Sequence, residues 1–142
     1  MIKKASTNEE INDALSVRDQ VFALEQGIDR DVIFDVLDET ADHFVAYLDG
    51  KPIGTLRVRH PEENVAKIER VAVLEEMRGK SMGLKLMEFT LEDLKKNGIK
   101  KAVLDSQSYI KSFYEKLGFV QIGDEFEEVG IPHVYMEKEL NE

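Results

Sequence analysis

Six consecutive residues, Arg78, Gly79, Lys80, Ser81, Met82 and Gly83, follow a short apolar run, Val71-Ala72-Val73, and lead into a stretch of helical periodicity. A strand that feeds a small-residue turn, which in turn opens a helix, is an arrangement that binds anions. The first N–H groups of a helix have no internal partner, and the helix dipole adds partial positive charge at that end. Gly79 and Gly83 remove side chains where backbone must come close to the anion, and Arg78 and Lys80 add full charges. An ordinary strand-to-helix turn with solvated basic residues is the plainer alternative. A nucleotide-binding P-loop is a third reading, since Gly79-Lys80-Ser81 has its ending and Ala102-Val103-Leu104-Asp105 resembles a magnesium-binding strand. That motif needs a further glycine five positions before Gly79. Leu74 stands there, and Glu75-Glu76 would aim carboxylates at the phosphates. The P-loop reading fails on both counts.

The elements that must position this loop follow from periodicity and turn signals. Overlapping capping-box patterns, Ser6 with Glu9 and Thr7 with Glu10, start a helix predicted over about 8–24, with Gly27 beyond its end. An acidic connection follows, over 29–42. Asp49-Gly50 between two apolar runs predicts a hairpin of strands at 43–48 and 53–59, and a third strand is expected over 66–74. Leu84, Met87, Leu91 and Leu94 share one face of a helix over 83–97, with Lys95-Lys96 in its last turn and Gly98 just past it. A buried strand at 99–104, a short helix at 109–117, extended chain at 119–122 and a final strand at 133–140 complete the order. The strand–helix–strand crossover implies a parallel pair and the first hairpin an antiparallel one. The fold class is therefore α/β with a mixed sheet flanked by helices, expected as one domain over 1–142.

Composition removes several classes of function. The 142 residues carry a net charge of −10, from 29 acidic and 19 basic side chains, a surface that repels phosphate backbones, so nucleic acid is not an expected partner. No apolar stretch is long enough to span a bilayer, and no membrane association is expected. The chain has no cysteine, which excludes disulfides, zinc-thiolate sites and a cysteine nucleophile, and the compartment is read as cytoplasmic. Its three histidines, His43, His60 and His133, lie far apart without metal-ligand spacing, so no metal is expected.

Residues 78–83 resemble the Q/R-x-x-G-x-G/A pyrophosphate loop of the GCN5-related N-acetyltransferase (GNAT) superfamily, with Ser81 standing where the middle glycine usually lies. Phe113-Tyr114-Glu115-Lys116-Leu117-Gly118-Phe119 resembles the FYxxLGF segment of the same superfamily. Val21-Phe22-Ala23-Leu24-Glu25-Gln26, Asp42-His43, Asp105-Ser106-Gln107 and Glu128-x-Gly130-Ile131-Pro132-His133 resemble the ElaA/YjcF-type branch, in the same order along nearly the whole chain. The resemblance implies a central mixed, mostly antiparallel sheet with a parallel pair at the cofactor cleft. It also implies acetyl-CoA as co-substrate without a metal, a small-molecule or peptide amine as acceptor, and a homodimer as a common state. A non-catalytic acyl-CoA-binding or sensing module is the alternative.

Roles for individual residues follow from the resemblance. Val71, Ala72 and Val73 would offer backbone groups to the pantetheine arm and thioester carbonyl, with Arg78, Gly79, Lys80, Ser81, Met82 and Gly83 at the diphosphate and Gln107 and Phe113 also at the cofactor. Tyr114, at the cofactor as well, is the candidate general acid, since a departing thiolate needs a proton and a phenol can give one; the alternative is a packing aromatic. Glu69 and His133 are the candidate bases, and a water chain could replace both. Glu69 is placed by strand alternation on the face of Val71 and Val73. Glu25, Gln26, His43, Glu128 and His133 are candidates for the acceptor pocket. Helix-end solvation explains Glu25 and Gln26 equally well, and a strand-start hydrogen bond explains His43.

Overall fold

The computed structural model describes residues 1–140. These residues form a mixed sheet of eight strands, mostly antiparallel, flanked by helices. The chain divides into two compact units, Met1–Arg59 with Ile68–Thr90, and His60–Lys67 with the chain from Leu91 onward.

In the first unit the strand order is β1 (Ile2–Lys4), β2 (Asp42–Leu48), β3 (Lys51–Glu62) and β4 (Val65–Val73), the last two running on into the second unit. Asp49 and Gly50 both take positive φ, +52° and +79°, so β2 and β3 close through the two-residue turn that Asp-Gly favours, with Leu48 opposite Lys51. Helix α1 (Asn8–Arg18) begins at Thr7, whose hydroxyl accepts the Glu10 N–H at 3.1 Å, while the Glu10 carboxylate accepts the Ser6 N–H at 2.8 Å. The expected helix over 8–24 is two elements: after Arg18 the chain widens into a π-helix, Asp19–Glu25. Helix α2 (Arg30–Ile33) and a 3₁₀ turn (Val36–Glu39) occupy the stretch expected as an acidic connection. Asp29 and Asp35 cap these short turns with their own carboxylates, which is what the acidic residues there do. Ala14, Val17, Val21, Phe44, Ile53, Leu56 and Leu86 form the buried interior, and Phe89 of α3 (Met82–Lys96) meets Phe44 edge-on at 6.2 Å.

In the second unit the order is β4, β5 (Lys101–Gln107), β8 (Ile131–Glu139) and β6 (Val120–Gln121), with β7 (Phe126–Glu128) also on β8. The pair β4–β5 is parallel, 65–67 against 101–103, as the crossover through α3 requires. Helix α4 (Lys111–Glu115) follows a 3₁₀ turn at Ser108–Ile110. Leu94, Ala102, Leu104, Phe119, Val134 and Met136 are buried. The end of α3 is closed by Gly98 at φ +81° and by the Ile99 N–H to the Leu94 carbonyl at 3.0 Å.

Candidate active site

Residues 78–83 form an exposed loop that enters α3 at Met82. Gly79 takes φ +80° and nothing within 4 Å would meet a side chain there, so glycine is needed for backbone freedom rather than for space. Ser81 takes φ +61°, the left-handed conformation in which a non-glycine residue is disfavoured. The Lys85 N–H donates to the Ser81 carbonyl at 3.0 Å, closing the first turn of the helix. The N–H groups of Met82, Gly83 and Leu84 therefore lie in the first turn, where no intrahelical acceptor is available to them. With the ammonium of Lys80 next to them in sequence, they are groups that can meet negative charge.

The Arg78 guanidinium is engaged elsewhere. Nη1 and Nη2 donate to the two carboxylate oxygens of Glu25 at 2.6 and 2.7 Å, and Nε and Nη2 donate to the Val73 carbonyl at 3.1 and 2.9 Å. Arg78 thereby pulls the Glu25 carboxyl below its ordinary value. Glu25 lines a cleft between the π-helix and the chain after β4, with Gln20, Val21, Leu24 and Leu74 among the walls. Gln26, just past the end of the π-helix, is exposed. Ala72 is buried and its neighbours Val71 and Val73 are half-buried.

Glu69 sits in a cluster of charges that composition did not announce. Its carboxylate accepts hydrogen bonds from Arg57 Nε and Nη2 at 3.1 and 2.6 Å and from Arg59 Nε and Nη2 at 2.7 and 3.0 Å. Burial alone would raise its pKa, but the two guanidiniums outweigh burial and hold it at about 2. Arg57 is only 1% exposed and reaches on to Asp35 at 2.7 Å and Asp38 at 3.0 Å. Asp38 also accepts from the buried Arg18 at 2.7 Å, and Arg18 stacks over the Phe34 ring. Arg70 takes φ +56° within β4 and donates to the carbonyls of Ile33 and Val32. Glu69, Val71 and Val73 are all half-buried, with Ile68 and Ala72 buried next to them in sequence. His43 is 2% exposed, and its Nε2 lies 2.9 Å from the Asp38 carbonyl. A carbonyl only accepts, so Nε2 carries the proton and the ring anchors the Val36–Glu39 turn. The cluster was missed because charged residues in strands are read as solvated. The available signal was Arg57 and Arg59, two apart inside an apolar run and hence on one face.

In the second unit Tyr114 packs edge-on against Phe113 at 5.0 Å and against Phe119 at 6.1 Å. It is 7% exposed, and burial pushes the phenol up to about 12. The phenol is therefore protonated throughout the neutral range. Gln107 and His133 are cross-strand partners on β5 and β8, so two candidates separated by 26 positions (133 − 107) share one rung of the sheet. His133 Nδ1 lies 2.8 Å from the Ile131 carbonyl, which fixes Nδ1 as the donor and leaves the Nε2 lone pair available in the neutral ring. Nε2 faces the Glu128 carboxylate at 3.8 Å, and Phe126 stacks on the ring at 6.0 Å. The structure thus brings Gln107, Glu128 and His133 together on the second unit, and Glu25, Arg78 and Val73 together on the first. His43 and Glu69 belong to the charge cluster.

Comparison with known proteins bears on family and fold. The acetyltransferase (GNAT) domain family matches residues 3–140. YjcF of Bacillus subtilis, described as an uncharacterized N-acetyltransferase, is 32% identical over 95% of this chain and 96% of its own. ElaA of Escherichia coli is 31% identical over 89% of this chain and 85% of its own, and its crystal structure superposes with a TM-score of 0.83, at 26% identity over 97% of this chain and 99% of that one. The crystal structure of an acyl-CoA N-acyltransferase from Pseudomonas aeruginosa superposes with a TM-score of 0.84, at 29% identity over 97% of both chains.

Proposed function

Since the chain belongs to the GNAT family of acetyltransferases, we propose that it transfers an acetyl group from acetyl-CoA directly to a primary amine, both substrates being bound together. The observation that carries this reading is the loop at residues 79–83: left-handed backbone at Gly79 and Ser81 opens the start of a fifteen-residue helix, with Lys80 beside it. That loop fits a diphosphate, because unpaired helix N–H groups and one ammonium meet its negative charge. Bound acetyl-CoA would supply the thioester that carries the acetyl group. The absence of any cysteine removes a cysteinyl acyl-enzyme and leaves direct transfer as the simplest route.

Tyr114 serves as the general acid. Its Oη keeps a proton at neutral pH because burial disfavours the phenolate, and it gives that proton to a leaving thiolate. Of the two candidate bases the reading takes His133. Its Nε2 lone pair can accept the proton that an ammonium must lose before its nitrogen can react. Glu69 is the weaker candidate, since a carboxylate held at about 2 by two arginines has little affinity for a further proton. Backbone groups of Val71, Ala72 and Val73 are assigned to the pantetheine arm, and Gln107 and Phe113 to the cofactor side. Glu128 and Gln26 are assigned to the acceptor.

The test is release of CoA with a panel of primary amines that includes polyamine, aminosugar and lysine-peptide members. Turnover with at least one amine is expected. Tight acetyl-CoA binding without turnover on any member would leave a sensing module in place of an enzyme.

A further inference from the structure

Arg78 and Glu25 are 53 positions apart, yet they form a bidentate ion pair with both oxygens of the carboxylate engaged. A guanidinium has five N–H groups. Two of Arg78's, on Nη1 and Nη2, meet Glu25, and the Nε and Nη2 fork meets the Val73 carbonyl, so at least four are used by the protein itself. At most one N–H remains, so a phosphate could gain the two-pronged contact that makes arginine–anion pairs strong only by breaking this geometry. The contact also has a mechanical meaning. Glu25 is the last residue of the π-helix, Val73 is the last residue of β4, and Arg78 is the residue from which the anion loop departs. One side chain thus fixes the origin of the loop to the end of the strand and to the end of the π-helix at once.

We infer that Glu25 and Arg78 work as one positioning unit, a brace that sets the start of the cofactor loop, and that neither is itself a ligand of diphosphate or amine. The inference rests on the cofactor reading proposed above. It assigns the loop's direct anion contacts to Lys80 and the backbone N–H groups. It also gives Glu25 a role other than an acceptor ligand, although its carboxylate lines the cleft with Val21, Leu24 and Leu74. The end of the π-helix and the start of the cofactor loop are then joined through one ion pair.

A double-mutant cycle separates the brace from two independent contacts. Glu25→Gln, Arg78→Gln and the double variant are compared with the wild type by calorimetry with CoA and by the KM values of acetyl-CoA and the amine. Because the pair is exposed and both replacements are close in size, folding is expected to survive and is checked by Tm. The brace predicts that each single change weakens CoA by about five- to tenfold, that the double change is no worse than either single one within about twofold, and that the amine KM stays within about twofold. Arg78→Gln that weakens CoA while Glu25→Gln raises only the amine KM would overturn it, as would additive losses in the double variant. Wild-type protein that fails to bind CoA at all would sink the cofactor reading and this inference together. Binding with additive losses would sink this inference alone.

Discussion

Ser81 carries a left-handed backbone where glycine would be unstrained, and it does so at the turn that aims the first N–H groups of α3. Left-handed geometry costs a non-glycine residue about 1 kcal/mol. Ser81→Gly is therefore expected to raise the unfolding free energy by up to about that amount, offset in part by glycine's greater freedom when unfolded. Denaturant unfolding measures it, and a loss of stability would contradict the strain argument. At Tyr114 the expected result is different in kind. Tyr114→Phe keeps the packing against Phe113 and Phe119 and removes only the hydroxyl. Turnover should fall about a hundredfold, the lower range for loss of a general acid, with the KM of acetyl-CoA within about twofold. Equal turnover would remove Tyr114 from the chemistry. The phenol pushed up to about 12 also means that no loss of activity between pH 8 and 10 should trace to its ionisation. A pH–rate profile of the wild type against Tyr114→Phe shows whether the alkaline limb belongs to this group.

At the scale of elements, the segment from α2 through the Val36–Glu39 turn is tied down by three arginines: Arg18, Arg57 and Arg70 reach it from α1, β3 and β4. Removing Arg57 leaves Asp35, Asp38 and Glu69 with a missing cation in a poorly hydrated place. Arg57→Met is expected to lower stability by about 3 kcal/mol, and a loss below about 1 kcal/mol would show the cluster to be dispensable. The cluster also sets an acid limit. Glu69 has a folded pKa of about 2 against an ordinary 4.5, so its contribution is complete above about pH 4.5 and disappears as pH falls toward 2. Arg57→Met should flatten that part of the stability–pH curve. Beyond the spacing of Arg57 and Arg59, none of this was legible in the sequence, because an arginine in a strand looks the same whether it meets water or three carboxylates. The strand–turn–helix around Gly79 was legible, since turn chemistry and helical periodicity are local. The π-helix was not: over seven residues, Asp19–Glu25, bonds to the fifth residue leave an apolar pattern that ordinary helical spacing also fits. Strands β1, β6 and β7, two or three residues each, are too short for alternation to register.

For the whole molecule, the motifs around Arg78 and Tyr114 carried the family assignment, which the match over residues 3–140 establishes. Periodicity alone reached only a mixed sheet flanked by helices. It could place Gln107 and His133 on strands but not on one rung, since register between β5 and β8 is set by tertiary pairing. The net charge of −10 has a consequence for the proposed co-substrate as well: a chain of this charge repels a polyanion, so on the proposed reading binding comes from short-range contacts at the loop. Raising salt from low to physiological levels should therefore strengthen acetyl-CoA binding or leave it unchanged. Titration calorimetry at two ionic strengths checks this, and strong weakening by salt would place the binding on long-range attraction instead. The most direct measurement is the same titration on the folded wild type and on a variant whose loop backbone is disturbed, Gly79→Val, at the left-handed position where a β-branched residue is strained. The account predicts heat of binding for acetyl-CoA in the wild type and at least tenfold weaker binding in the variant. Absence of any heat at millimolar acetyl-CoA and CoA in the wild type, or equal binding by both proteins, would contradict it.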